Sequence, residues 1–191
     1  MPITTWAEVR WALVGCLRLA RGDRGGLAFF DRSLDGFWRS FMAAFLGYPL
    51  FLLLLTMRVS LAEWNAVGGA QIILIETIGY VISWVAFPLV MLSVVRWIGR
   101  EQRFFDFMVP YNWCQLPQSV LAVLIGLQAE AGLVGDLLSQ LIMVAALIAV
   151  FLYEWYIARV ALETSRAAAT MIVLLDFVLG ELVTRAAGSL Y

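Results

Sequence analysis

The chain has 191 residues, of which 63% are hydrophobic and 14% are charged, and its mean hydropathy is +0.88. A soluble globular domain is about half apolar, so this composition predicts an all-α integral membrane protein. The formal net charge of −1 gives no reason to expect nucleic acid as a partner.

The residue types that most enzymes and metal sites use are missing or isolated. The chain has no histidine, which is the commonest general base and metal ligand. Its two cysteines, Cys16 and Cys114, are far apart, which matches neither a disulfide framework nor a zinc-binding spacing. No glycine-rich phosphate loop and no HExxH motif occurs. We therefore expect no enzymatic activity, no cofactor and no bound metal ion.

Residues 1–36 are predicted to form a cytoplasmic segment along the membrane surface. Apolar residues recur there at helical spacing: Trp6, Val9, Leu13, Cys16 with Leu17, and Ala20. Arginines occupy the other faces, so the pattern predicts an amphipathic helix lying in the interface, which the glycines of RGDRGG end. Residues 1–10 lack the basic and then apolar regions of a cleavable signal peptide, so none is expected.

Residues 37–191 are predicted to form a bundle of five transmembrane helices. The hydrocarbon core of a bilayer needs roughly 20 apolar helical residues. Five stretches meet that length: 37–57, 69–95, 107–127, 133–156 and 167–187. An odd number of spans does not favour a simple inverted-repeat transporter.

The arginines predict how the bundle is oriented. All thirteen basic residues are arginines, and eleven lie before or at the start of the first span, after the second, or after the fourth. With five spans these regions share one side, which is the cytoplasm by the positive-inside rule. We expect a cytoplasmic N-terminus and an external C-terminus, in a bacterial inner membrane.

Three spans carry stripes of polar and small residues. The stripes are Glu76, Gly79, Ser83 and Ala86 in the second span; Asn112, Gln115, Ser119, Ala122 and Gly126 in the third; and Ala169, Asp176, Gly180 and Thr184 in the fifth. Small residues let helices approach closely, and amides hydrogen-bond across the contact. The three stripes are therefore predicted to pack on one another. Asn112 and Gln115 are expected to face neighbouring helices only, with Leu121, Val123 and Leu124 facing lipid.

Two prolines interrupt the third span. Pro110 is predicted in the first turn, where a missing N–H is harmless. Pro117 lies inside the helix, so it should free the carbonyl of Trp113 and bend the chain. Gln115, Gln118 or a water molecule could bond that carbonyl.

Acidic residues inside the spans have two interpretations. Glu76, Asp176 and Glu181 are predicted within the hydrocarbon, where a charge costs roughly 2.5–3.5 kcal/mol. Glu76 and Asp176 either form a proton or cation relay, or a polar substrate pocket, or are neutral acids hydrogen-bonded to neighbours. No arginine is predicted at the depth of Glu76 or Asp176. Asp106 and Glu154, near cytoplasmic ends, are expected to have no special role.

Two groups of arginines are candidate contacts for anionic lipid. Arg18 and Arg21 lie in the N-terminal segment, and Arg96, Arg100 and Arg103 follow the second span. Such clusters attract anionic headgroups. The alternative is that they only set the orientation.

Three stretches resemble the Yip1-like family of five-span membrane proteins, in particular its small uncharacterised bacterial members. They are LAFFDRSLDGFWRSF entering the first span, FFDFMVPYNWCQLPQ entering the third and YEWYIARVALETS leaving the fourth. The DLYGP-type signature of the eukaryotic members is absent, and LDGFW is a distant counterpart, so partnership with small GTPases is not carried over. The resemblance implies a non-catalytic membrane scaffold, adaptor or lipid-handling protein.

Two functions follow as hypotheses. The first is a non-catalytic scaffold or accessory protein that binds another integral membrane protein, or itself, within the lipid. The second is a small transporter, or a lipid-binding or lipid-moving protein, in which Glu76, Asn112, Gln115 and Asp176 line a polar intramembrane path.

Overall fold

The computed structural model describes residues 4–191, and this part of the chain contains helices and no strand. Residues 1–3 of the predicted N-terminal segment lie outside it. The α-helices are α1 (Trp6–Ala20), α2 (Leu34–Ser40), α3 (Met42–Arg58), α4 (Leu61–Val67), α5 (Gly69–Trp97), α6 (Phe104–Glu130), α7 (Asp136–Ala161) and α8 (Arg166–Gly188). Two short 3₁₀ helices, Arg24–Phe29 and Glu101–Arg103, precede α2 and α6.

Side-chain caps explain where several helices begin. Thr5, Ser33 and Ser165 each accept a hydrogen bond from a backbone N–H in the first turn of α1, α2 and α8. Ser60 forms a capping box with Glu63 at the start of α4. Hydrogen bonds from the hydroxyl and the backbone N–H of Ser60 hold the pKa of the Glu63 carboxyl below its usual range.

Four helical segments in the described part of the chain are long and apolar enough to cross a membrane: Leu34–Arg58, Gly69–Trp97, Asp136–Ala161 and Arg166–Gly188. They correspond to the first, second, fourth and fifth predicted spans, and they are compatible with an integral membrane protein. The third predicted span is α6, which has 27 residues but is not among the four. Its asparagine and glutamines lower its hydropathy.

Helix α6 nevertheless runs the length of the bundle beside α3. At its start the Phe104 ring lies 5.7 Å from that of Phe37 in α2. Towards its end a Cβ added to Gly126 would lie 2.8 Å from Met57 Sδ, near the last residue of α3. Because α2 and α3 follow one another with a single break at Phe41, α6 is antiparallel to them.

The first half of α6 forms the centre of the main core. Every residue from Phe107 to Cys114 is buried, and helices α1, α2, α3 and α7 pack around α6. Pro110 therefore lies inside the helix and not in its first turn, because α6 begins at Phe104. Val123 is also buried, at 6% exposure, so its predicted contact with lipid is wrong.

Helix α1 is seated against protein on its apolar side. Val9, Ala12, Cys16 and Leu19 form its buried face, which packs on α6 and α7. Cys16 Sγ lies 2.9 Å from Cys114 Sγ, and the Tyr153 hydroxyl donates to the Cys16 carbonyl at 2.9 Å. Of the predicted stripe, Trp6, Leu17 and Ala20 are exposed, and the amphipathic helix in the membrane interface stays a prediction.

Arginine-containing segments meet at one end of the bundle, which we call the arginine-rich end. Asp106 at the start of α6 pairs with Arg32, 3.2 Å away, in the segment before α2. Arg103 pairs with Glu163 after α7 at 2.7 Å, and Arg100 donates to the Glu163 carbonyl oxygen. The segments before α2, before α6 and after α7 therefore lie together.

Candidate functional site

A cavity of about 470 Å³ lies among α3, α5, α6, α7 and α8. We call it the central cavity. Small-molecule sites in proteins typically have volumes of about 300–1,000 Å³, so the space is large enough for a small ligand.

Most residues of the three stripes predicted from the sequence line this cavity; Ala122, Gly126 and Ala169 do not. Its lining includes Glu76, Gly79, Ser83 and Ala86 from α5, Asn112, Gln115 and Ser119 from α6, and Asp176, Gly180 and Thr184 from α8. Helices α5 and α8 pack closely, since a Cβ on Gly79 would lie 3.4 Å from the Cβ of Ala187. The stripe of α6 faces them across the cavity, so the prediction that all three stripes pack directly on one another is wrong for α6.

Aromatic side chains of α5 explain this separation. The Phe87 ring lies 4.6 Å from that of Tyr111 on α6, and the Tyr80 hydroxyl donates to the Ala44 carbonyl of α3 at 2.8 Å. These bulky groups keep α5 apart from α6 and leave open space between their polar faces. Helices come close only where small residues face each other.

The two amides of α6 bond neighbouring helices and also line the cavity. Asn112 Nδ2 donates to Ser40 Oγ at 2.8 Å, and Ser40 Oγ donates to the Phe37 carbonyl at 2.6 Å. Gln115 Nε2 donates to Glu154 Oε1 at 3.4 Å. Both side chains also border the central cavity; the expectation that they contact only neighbouring helices, and neither ligand nor water, stays a prediction.

Glu76 is buried and forms a salt bridge with an arginine. Its Oε2 lies 2.5 Å from Arg58 Nη2, and its Oε1 accepts a hydrogen bond from the Tyr191 hydroxyl at 2.7 Å. The prediction of no arginine at this depth is wrong, because the long Arg58 side chain at the end of α3 reaches Glu76 along the bundle. Burial and the hydrogen bond to Glu76 raise the pKa of Tyr191, beyond the end of α8, to about 12.

Glu154 and Asp176 line the cavity without a basic partner among residues 4–191. Glu154 is 7% exposed, and Gln115 is its hydrogen-bond partner. Asp176 accepts a hydrogen bond from the Tyr111 hydroxyl at 2.7 Å. The predicted position of Glu154 close to a helix end is wrong, since α7 continues to Ala161 and places it about two turns inside the helix; that it has no special role stays a prediction. The signal in the sequence was that Glu154 follows Val150 by four residues, about one helical turn, so that the two share one face of α7; both line the cavity.

Other predicted residues lie at or outside the edge of the cavity. Glu181 lines it and pairs with Arg185 at 2.6 Å. Gln118 is absent from the lining, and its buried Nε2 has no hydrogen-bond partner within residues 4–191. Pro117 lies inside α6, which continues as a helix on both sides of it. The bend of the helix predicted at Pro117 stays a prediction.

Seven aromatic residues form much of the remaining wall: Phe51, Tyr80, Trp84, Phe87, Tyr111, Phe151 and Phe177. Phe87 and Tyr111 also contact Phe107, at ring-centroid distances of 6.3 and 5.5 Å. Beside this trio lies a second void, too small for a water molecule, that borders Glu154 and Asp176.

The arginines predicted to contact lipid are partly engaged by protein. Arg18 pairs with Asp23 at 3.7 Å and lies over the Phe29 ring, while Arg100 and Arg103 bond Glu163. Arg21 and Arg96 are exposed. Binding of anionic lipid stays a prediction.

Nothing in residues 4–191 groups three or more histidine, cysteine or acidic side chains in a way that could hold a metal ion. No family model matches the chain, and neither a curated protein nor a solved structure matches it. The resemblance to the Yip1-like family therefore stays a prediction.

Proposed function

We propose that this is a five-span membrane protein whose N-terminus is cytoplasmic and whose C-terminus is external. Two observations support five spans. Helix α6 extends alongside α3 from one end of the bundle to the other. The arginine-containing segments before α2, before α6 and after α7 meet at one end, as alternating spans require. That end would face the cytoplasm by the positive-inside rule.

We further propose that the protein binds a small polar solute in the central cavity and moves it across, or within, the membrane. The observation that carries this proposal is that polar side chains of α5, α6 and α8 line one common space. This is the second of the two functions suggested by the sequence.

The energetics favour a functional cavity over simple helix packing. Polar groups in hydrocarbon are costly, and those that persist commonly mark substrate or ion pathways. Side chains used only to join helices would be in direct contact, because close-packed interiors leave few voids larger than a water molecule. Here Asn112 and Glu154 are each about nine-tenths or more buried and still border a cavity.

The scaffold hypothesis stays the alternative. Exposed large apolar residues are distributed along α3, α5, α6, α7 and α8, as contact with lipid on several sides requires. This distribution does not single out one patch for a partner protein or a second copy.

Cysteine accessibility tests the cavity directly. Ser83→Cys places a thiol in the cavity, and Ile82→Cys places one on the adjacent exposed face of α5. The native Cys16 and Cys114 are buried, so each variant adds one accessible thiol at most. A thiol reacts as the thiolate, which requires water.

In membrane vesicles of known orientation, a charged, membrane-impermeant methanethiosulfonate should modify Ser83→Cys when added on the external side. It should not modify Ile82→Cys, which we place in lipid. Equal, negligible labelling of both variants from both sides would show that the cavity is not open to water and would overturn the proposal.

A further inference from the structure

We infer that the ligand of the central cavity is a small organic ammonium ion, bound by Glu154 and Asp176 and by the surrounding aromatic faces. This inference rests on the proposed function, because it names the class of solute that the cavity would take.

The charges of the lining determine the sign of the ligand. Four carboxylates and one arginine line the cavity: Glu76, Glu154, Asp176, Glu181 and Arg58. Arg58 compensates Glu76, and Arg185 compensates Glu181. Glu154 and Asp176 are left without a basic partner among residues 4–191. Two buried acids without a basic partner disfavour an anionic ligand, whereas a cation beside them would stabilise their ionised forms.

The hydrogen bonds of these two acids leave oxygens free for a ligand. Glu154 is 7% exposed, and in the described chain only its Oε1 accepts a hydrogen bond, from Gln115. Asp176 accepts through Oδ2, from Tyr111. Glu154 Oε2 and Asp176 Oδ1 have no hydrogen-bond partner among residues 4–191, although both side chains line the cavity. Because both side chains border open space, a cationic group in the cavity could approach these oxygens and attract them electrostatically.

The aromatic wall favours an organic cation over a metal ion. Ammonium groups bind the faces of Trp, Tyr and Phe rings, and aromatic cages recognise quaternary ammonium ligands in this way. Trp84, Tyr80 and Phe87 all border the cavity. Hard metal ions instead need about six or more oxygen ligands close together, and a volume of about 470 Å³ with largely apolar walls does not offer that.

Binding of choline tests this inference, with 3,3-dimethylbutan-1-ol as an uncharged ligand of the same shape. The full chain would be purified in lipid nanodiscs and titrated by isothermal calorimetry. Choline should bind, and the alcohol should bind at least about tenfold more weakly, since it lacks the positive charge that the two acids and the ring faces attract. An excess of sodium chloride should not displace choline.

Three substitutions locate the site. Asp176→Asn and Glu154→Gln remove one charge each with little change of shape, and each should weaken choline binding about tenfold. Glu181→Gln is the matched control, because Glu181 is already paired with Arg185, and it should change the affinity less than about twofold. Trp84→Leu should weaken binding about fivefold through loss of a ring face.

Several results would overturn the inference. They are equal affinity for choline and the alcohol, displacement by sodium, or no choline binding while Ser83→Cys is still labelled from the external side. The last outcome would leave the water-accessible cavity in place and refute only the ligand class. If the acid variants fail to fold, the comparison of the two ligands on the unaltered chain decides.

Discussion

The Arg58–Glu76 pair allows a sharp test of how the end of the bundle opposite the arginine-rich end is stabilised. Arg58→Met keeps most of the length of the side chain and removes its charge. Glu76 would then keep its hydrogen bond from Tyr191 but lose its only basic partner in residues 4–191. Glu76→Gln is the reciprocal change, because the amide can still accept from Tyr191 while Arg58 loses its partner.

The two changes should have unequal costs because the two side chains differ in burial. Removing one partner of a fully buried ion pair costs about 3–5 kcal/mol. The Glu76 side chain is 4% exposed and that of Arg58 is 41% exposed, so water already solvates part of this pair. We therefore expect Arg58→Met to cost about 2 kcal/mol.

Glu76→Gln should cost less than about 1 kcal/mol, because an unpaired Arg58 can turn towards water. The double variant should be no less stable than Arg58→Met, because it no longer contains an unpaired buried carboxylate.

The native thiols provide the assay. Cys16 and Cys114 are buried, so a thiol-reactive fluorophore reports their exposure as the protein unfolds in detergent on heating. For a chain of this length a loss of 2 kcal/mol lowers Tm by roughly 4–8 °C. Equal effects of the two single changes, or a double variant less stable than both, would refute the assigned pairing and burial.

Three further outcomes are expected. Mild oxidation, which removes two electrons and two protons from the two thiols, should form a disulfide bond between Cys16 and Cys114 within one chain. Mass spectrometry should detect this disulfide. Its absence in the oxidised, folded protein would show that α1 does not pack on α6. Gly79→Leu should destabilise the protein at the α5–α8 contact by about 1–3 kcal/mol, and Gly79→Ala should not. Thermal unfolding measures both variants, and equal stability of the two would contradict the close approach of α5 to α8. Because the pKa of Glu63 is lowered, its hydrogen bonds to Ser60 stabilise α4 fully above the ordinary carboxyl pKa of 4.5, and this stabilisation is lost as the pH falls through the lowered pKa. Hydrogen exchange should show α4 opening more readily over that pH range, and Ser60→Ala should abolish this pH dependence.

The long helices were accessible from the sequence because long apolar stretches indicate them. The predicted spans 69–95 and 167–187 correspond to Gly69–Trp97 and Arg166–Gly188. The short helix α4 was missed, since seven residues between two apolar stretches leave no strong periodicity. Its capping sequence, Ser60 followed three residues later by Glu63, was the signal that could have revealed it.

The candidate site was only partly accessible from the sequence. A helical wheel shows which residues of one helix share a face, so it grouped Asn112 with Gln115 and Glu76 with Ser83. It does not show how far apart two faces lie, and so it missed the cavity that Tyr80 and Phe87 hold open. Nor does it show depth, which is why Glu154 was assigned to a helix end.

The Arg58–Glu76 pair was missed for a related reason. The sequence placed Arg58 outside the hydrocarbon and Glu76 inside it, as if position along the helix fixed the position of the charged group. Long side chains reach several ångströms along a helix surface. Partners on different helices therefore need the tertiary arrangement to be identified.

During synthesis, α6 leaves the ribosome after α1, α2 and α3, three of the helices that pack around it. Insertion into the bilayer favours apolar segments, and α6 alone among the five long helical segments of residues 4–191 is not apolar enough to be identified as a spanning helix. The earlier helices thus offer the nascent α6 a protein surface for its polar residues before any lipid must accept them. A circular permutant that begins at α4 would remove that surface, so we expect insertion into a membrane to depend on the order of the helices as well as on their composition.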